Sequence, residues 1–135
     1  MKLRLFALSL FLGVLLGCAN SAYKVHPGSA GYTTGTPTTV QIAASQWYDD
    51  LSATDAVIVQ TRADFLANKF PASAMPTIRN AFNALVSAYD TAQQAWLAFN
   101  QAATAGQSGG QAATASAIAG MDAALQQLTA AKGGK

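Results

Sequence analysis

The sequence predicts an all-α protein: an up-down-up three-helix antiparallel bundle set behind an apolar leader and a flexible tether. Three observations predict it. Ile78, Phe82, Leu85, Tyr89, Ala92, Trp96, Phe99 and Ala103 alternate four and three residues apart without a break, the a/d seam of helices packed side by side. Two breaker-rich stretches, PASAMP at 71–76 and GQSGGQ at 106–111, divide the remainder into pieces of helical length. Thr38 stands three residues before Gln41, a capping-box spacing that satisfies two backbone donors at a helix start.

The first helix is expected over 39–69. Trp47, Leu51, Ile58 and Phe65 recur at helical spacing, with Thr54 and Thr61 at the smaller positions, and Pro71 closes the helix by disfavouring helical geometry before it. The second is expected over 75–105, with Ser73 as its cap and Pro76 in a first turn where a missing N–H costs nothing; Gly106 ends it. The third, expected over 111–132, repeats the seam more weakly with Ile118, Met121, Leu125 and Leu128. Gly120 costs roughly 1 kcal/mol of helix propensity relative to alanine and is expected to permit close approach of a neighbour. Short turns favour an antiparallel bundle. A long hairpin that completes its core by oligomerising stays open beside it. The third helix is the shortest, so one end of the hairpin, or Val57/Val59 and Val86/Leu97 beside the main seams, is left for a partner.

Residues 19–37 are rich in Gly, Ser, Thr and Pro and show no periodicity. They read as a flexible leash, roughly 25 Å root-mean-square in span. The domain division is therefore 1–17, 18–37 and 38–135.

Met1-Lys2-Leu3-Arg4 and a dozen mostly apolar residues make a secretory signal pattern, too short for a comfortable membrane span of about 20 residues. Leu15-Leu16-Gly17-Cys18 resembles the lipobox of bacterial lipoproteins. That resemblance implies a diacylglycerol on the Cys18 sulfur, cleavage before Cys18 and acylation of the new amine. Ala19, by the sorting rule of that family, implies the outer membrane. Cys18 is the sole cysteine, so it forms no intramolecular disulfide, and no other metal ligand stands near it in sequence. Multiple acyl chains, at about 0.8 kcal/mol per buried CH₂, give stable anchoring.

The formal charge of +2 includes Lys2 and Arg4. Without them, six basic residues face six aspartates. A neutral chain with scattered charges offers nothing to neutralise phosphates, so nucleic acid is not an expected partner. Glutamate is absent, and uncharged Gln, Asn, Ser and Thr supply most of the polarity.

Candidate chemistry is sparse. His26, the sole histidine, lies in the leash, as do Tyr23 and Tyr32, which could dock on a partner. Asp49 and Asp50 are adjacent and so diverge by about 100° on a helix, reading as a solvated face. Asp55 and Arg62, two turns apart on the first helix, suggest a cross-helix ion pair. Trp47, Tyr89, Trp96 and Phe99 fall at core spacing and read first as packing. No catalytic residue, metal site or cofactor other than the lipid on Cys18 is expected, and the chain does not read as an enzyme. The expected function is a lipid-anchored structural or adaptor protein of the bacterial envelope, partnered by the membrane and another envelope protein. Two alternatives stand beside it. The closing Gly-Gly-Lys135 is similar to the end of the murein lipoproteins of enteric bacteria, which implies peptidoglycan attachment at Lys135. The aromatic seam suggests a carrier of a small apolar ligand between helices.

Overall fold

The computed structural model describes residues 38–105 and 109–133. They form three helices: α1, Thr39–Leu66; α2, Met75–Thr104; and α3, Gln111–Gly133. Their 28, 30 and 23 residues correspond to lengths of about 42, 45 and 35 Å. The arrangement is the expected all-α three-helix bundle. Among the described residues, no helix is long and apolar enough to cross a membrane.

The start of α1 follows the sequence signal. Thr38 Oγ1 accepts the Gln41 backbone N–H at 3.2 Å, and Gln41 Oε1 accepts the Thr38 N–H at 2.7 Å. Its end does not. The helix stops at Leu66 rather than Lys69, because Asn68 adopts the left-handed conformation at φ 53°. The Asn68 N–H then bonds the Phe65 carbonyl at 3.1 Å and the Lys69 N–H bonds the Asp64 carbonyl at 3.0 Å, which is a Schellman closure. Asparagine tolerates this conformation better than most residues. Termination is thus local to Asn68, three residues ahead of Pro71. The Lys69 ammonium also bridges back to the Asp64 carboxylate at 3.0 Å.

The second correction concerns Ser73. The cap of α2 is Ala74, which makes no side-chain cap bond. The Pro71 carbonyl instead accepts both the Ala74 and Met75 N–H groups at 3.0 Å. Ala74 already has helical geometry, φ −91° and ψ −15°, so the turn runs directly into the helix and leaves Ser73 no capping role. Pro76 sits in the first turn as expected. The last helical residue of α2 is Thr104, and Gly106 lies outside the described residues. At the head of α3, Gly110 takes φ +77°, a value that suits glycine. Its carbonyl accepts the Thr114 N–H at 2.8 Å.

The packing is set by three stripes on α2, each repeating every seven residues. Ile78, Leu85, Ala92 and Phe99 are buried along its centre. Ala81, Ala88 and Ala95 fall on the flank of that centre opposite the α1-facing aromatics, which in a three-helix bundle is the α3 side, and the Thr114 hydroxyl of α3 reaches the Ala95 carbonyl at 3.1 Å. Phe82, Tyr89 and Trp96 form the stripe facing α1. There, the buried Trp96 indole donates to the Ala44 carbonyl at 2.8 Å, and the Phe82 ring meets Phe65 at 5.4 Å. Alanine permits close approach and aromatics do not, so α2 and α3 form the most intimate pair and α1 packs less closely on either.

The α3 core consists of Thr114, Ile118, Met121, Ala124 and Leu128, with the expected Leu125 half-buried beside it. Gly120 corrects a further expectation. It is exposed, and a Cβ placed there would meet nothing within 4 Å. No neighbour approaches it, so only its propensity cost remains. Gly120→Ala should stabilise the protein by roughly 1 kcal/mol, read as a raised urea midpoint with an unchanged slope.

Candidate functional site

An open groove of about 240 Å³ lies between α1 and α2, lined by Tyr48, Leu51, Ser52, Asp55, Tyr89, Gln93, Trp96 and Leu97. Apart from buried Leu51, its α1 wall belongs to a stripe running through Tyr48, Ser52, Asp55, Val59, Arg62 and Leu66, spaced four and three residues apart. This stripe sits beside the buried seam rather than on it. Tyr48, Val59, Leu66 and Leu97 are exposed large apolar residues among those described. Three of them fall on this stripe and the fourth faces it across the groove.

The two ends of the groove differ chemically. At one end the Tyr48 and Trp96 rings meet at 5.6 Å, tilted 45°. Trp96 is held there by its bond to Ala44. Tyr89 and Asp55 occupy the other end. The Tyr89 hydroxyl is held above its ordinary range, first by burial and then by the negative charges of Asp55 and Asp90.

The expected aromatic series divides. Trp47 is edge-on to Phe99 at 5.3 Å, a packing contact, whereas Tyr89, half-buried, and Trp96, buried, also line the groove, where Tyr48, off that series, meets Trp96. A second aromatic cluster sits near the α1–α2 turn. Phe65 meets Phe70 at 5.0 Å, and the Lys132 ammonium lies 5.9 Å from the Phe70 ring centroid. Lys132 also donates to the buried Thr61 hydroxyl at 3.2 Å, which ties the last turn of α3 to α1.

Asp55 and Arg62, expected to form a cross-helix ion pair, are both exposed, and Asp55 lines the groove. Val57 and Val86 pack on the core, which leaves Val59 and Leu97 as the exposed members of those pairs. Asp50 looks across to α3. Its carboxyl is pushed up by burial, then by Asp122 and Asp49, and Asp122 is pushed up by burial. Among the described residues no three metal-ligating groups converge. Leu15, Leu16, Gly17, Cys18, Tyr23, His26, Tyr32 and Lys135 lie outside the described residues. No protein family, no curated protein and no solved structure matches the chain.

The missed groove residues had a sequence signal. Tyr48, Ser52 and Asp55 share the helical spacing of the core seam, displaced by one residue from Trp47, Leu51 and Thr54. The seam's larger residues mask this second stripe.

Asp50 and Asp122 bind protons more tightly in the folded chain than unfolded, because both are raised. Their contribution to stability is therefore present at acid pH and lost as pH rises through their folded values. Asp64 runs the other way. Hydrogen bonds from Lys69 and then Gln60 lower it, so its contribution is lost as pH falls. Asp122→Asn should raise the melting temperature at pH 7. The gain should vanish below the ordinary aspartate range, about pH 3.5. A pH-independent gain would contradict a charge origin.

Proposed function

We propose that this chain is a lipid-anchored, non-enzymatic adaptor or structural lipoprotein of the bacterial cell envelope, held at the outer membrane by acyl chains on Cys18. The observation that carries the adaptor part is the exposed stripe of α1, where Tyr48, Val59 and Leu66 are interspersed with Ser52, Asp55 and Arg62 and Leu97 lies across the groove. Large exposed apolar side chains bordered by polar ones on one face support an interaction surface. The anchor part rests on Leu15-Leu16-Gly17-Cys18. The leash expected from the sequence over 19–37, outside the described residues, accords with a bundle that reaches a partner away from the lipid surface.

A second reading, a carrier of a small ligand, draws on the groove itself. Its volume of about 240 Å³ and its wall of Tyr48, Leu51, Trp96 and Leu97 suit a compact molecule lying along the helices. Wall attachment through Lys135 remains the third proposal.

Two measurements test the leading reading. Mass spectrometry of the protein from its native membrane should find an acylated N-terminal Cys18, whereas an intact Met1 would refute the anchor. The same spectrum reads Lys135, where a peptidoglycan fragment would favour the wall tether. A photo-crosslinking residue at Val59 should yield one discrete adduct in intact cells, while the same probe at exposed Gln126 on α3 yields none. Equal labelling at both positions would remove the adaptor face.

A further inference from the structure

We propose that the α1/α2 groove binds a small amphipathic cation, an alkyl- or arylalkylammonium ion. The inference deepens the carrier reading and rests on it. It is independent of the lipid anchor.

The groove is graded along its length. Tyr48 and Asp55 are seven residues apart on α1, so its two ends are separated by about 10 Å. The Tyr48–Trp96 corner, with Leu97 beside it and Leu51 lining the same end, takes a hydrocarbon or aryl body. Ser52 and Gln93 line the middle. The Asp55 carboxylate and the Tyr89 hydroxyl close the far end, within reach of the Asp90 charge that also acts on Tyr89.

Charge selects the ligand. None of the lining residues is basic, and Arg62 lies two turns farther along α1. A neutral apolar molecule filling the groove would strip water from Asp55 and give nothing back. A carboxylate would meet like charge. An ammonium group satisfies Asp55 by a charge-assisted hydrogen bond, and its alkyl or aryl body covers the aromatic corner. Tyr89 adds a ring close to the cationic end, where a ring face attracts positive charge.

The test is ligand-observed saturation-transfer NMR on the full chain with three probes of equal length: n-hexylammonium, hexan-1-ol and hexanoate. The ammonium ion should bind about tenfold more tightly than the alcohol, and hexanoate should show no transfer. Asp55→Asn should reduce ammonium binding to the level of the alcohol. Asp55 is exposed, so this variant keeps the fold, which circular dichroism verifies. Equal binding of ammonium and alcohol, or an unchanged Asp55→Asn variant, would overturn the cation assignment and leave a neutral-ligand carrier standing. No transfer from any probe would overturn both.

Discussion

The alanine and aromatic stripes of α2 lie one residue apart, and the rest of the structure depends on that offset. Ala81, Ala88 and Ala95 turn toward α3, while Phe82, Tyr89 and Trp96 turn toward α1. A shift of one residue rotates a helix position by about 100°, so the two stripes address different neighbours. Small side chains let backbones approach, and the Thr114 hydroxyl spans the resulting gap to the Ala95 carbonyl at 3.1 Å. Bulky rings hold α1 farther off. The bundle is therefore asymmetric by construction, with one close pair and one spaced helix.

Spacing creates the groove and also needs holding. Edge-on aromatic contacts, worth about 0.5–1.5 kcal/mol each beyond burial, fasten α1 at both ends. Trp47–Phe99 lies at one end, and Phe65–Phe70 with Phe65–Phe82 at the other. The Trp96 indole bond to Ala44 fixes the ring that forms the groove's aromatic corner. At the opposite end Lys132 joins α3 to Thr61 of α1, a contact that also places a cation near the helix C-terminus, where the dipole favours it. Between these fastenings the α1/α2 face is open, and its exposed residues are apolar at Tyr48, Val59, Leu66 and Leu97.

The fold was largely legible because its main signals are local. The four-three spacing from Ile78 to Ala103, the Thr38–Gln41 box and the breaker stretches each act within a few residues, and the helices form where they point. What escaped was of two kinds. Backbone choices at ends turned on single residues: Asn68 entered the left-handed region before Pro71 could act, and helical Ala74 left Ser73 no role. Relations between helices were the other kind. Gly120 looked like a contact point but faces solvent, because only pairing with α2 decides which side of α3 is inward. Tyr48 looked incidental until Trp96, 48 positions away, was brought beside it. A stripe shows which residues share a face, but not which neighbour that face meets.

The proposed docking face and the proposed ligand site both depend on the same asymmetry. If α1 were packed as closely as α3, Tyr48, Asp55 and Leu97 would have no shared groove, and neither proposal would have a surface to rest on. The most direct test substitutes a larger residue in the alanine stripe of α2 that faces α3. Ala88 of that stripe packs against the core, whereas Ala84 is exposed on the same helix, and leucine is nearly as good a helix former as alanine. Urea unfolding of Ala88→Leu should show a loss of about 1–3 kcal/mol from overpacking, against a change within about 0.5 kcal/mol for Ala84→Leu. An Ala88→Leu protein as stable as the parent, or more so, would show that α2 and α3 are not held at close range by their alanines, and unequal helix spacing could not then be the origin of the groove.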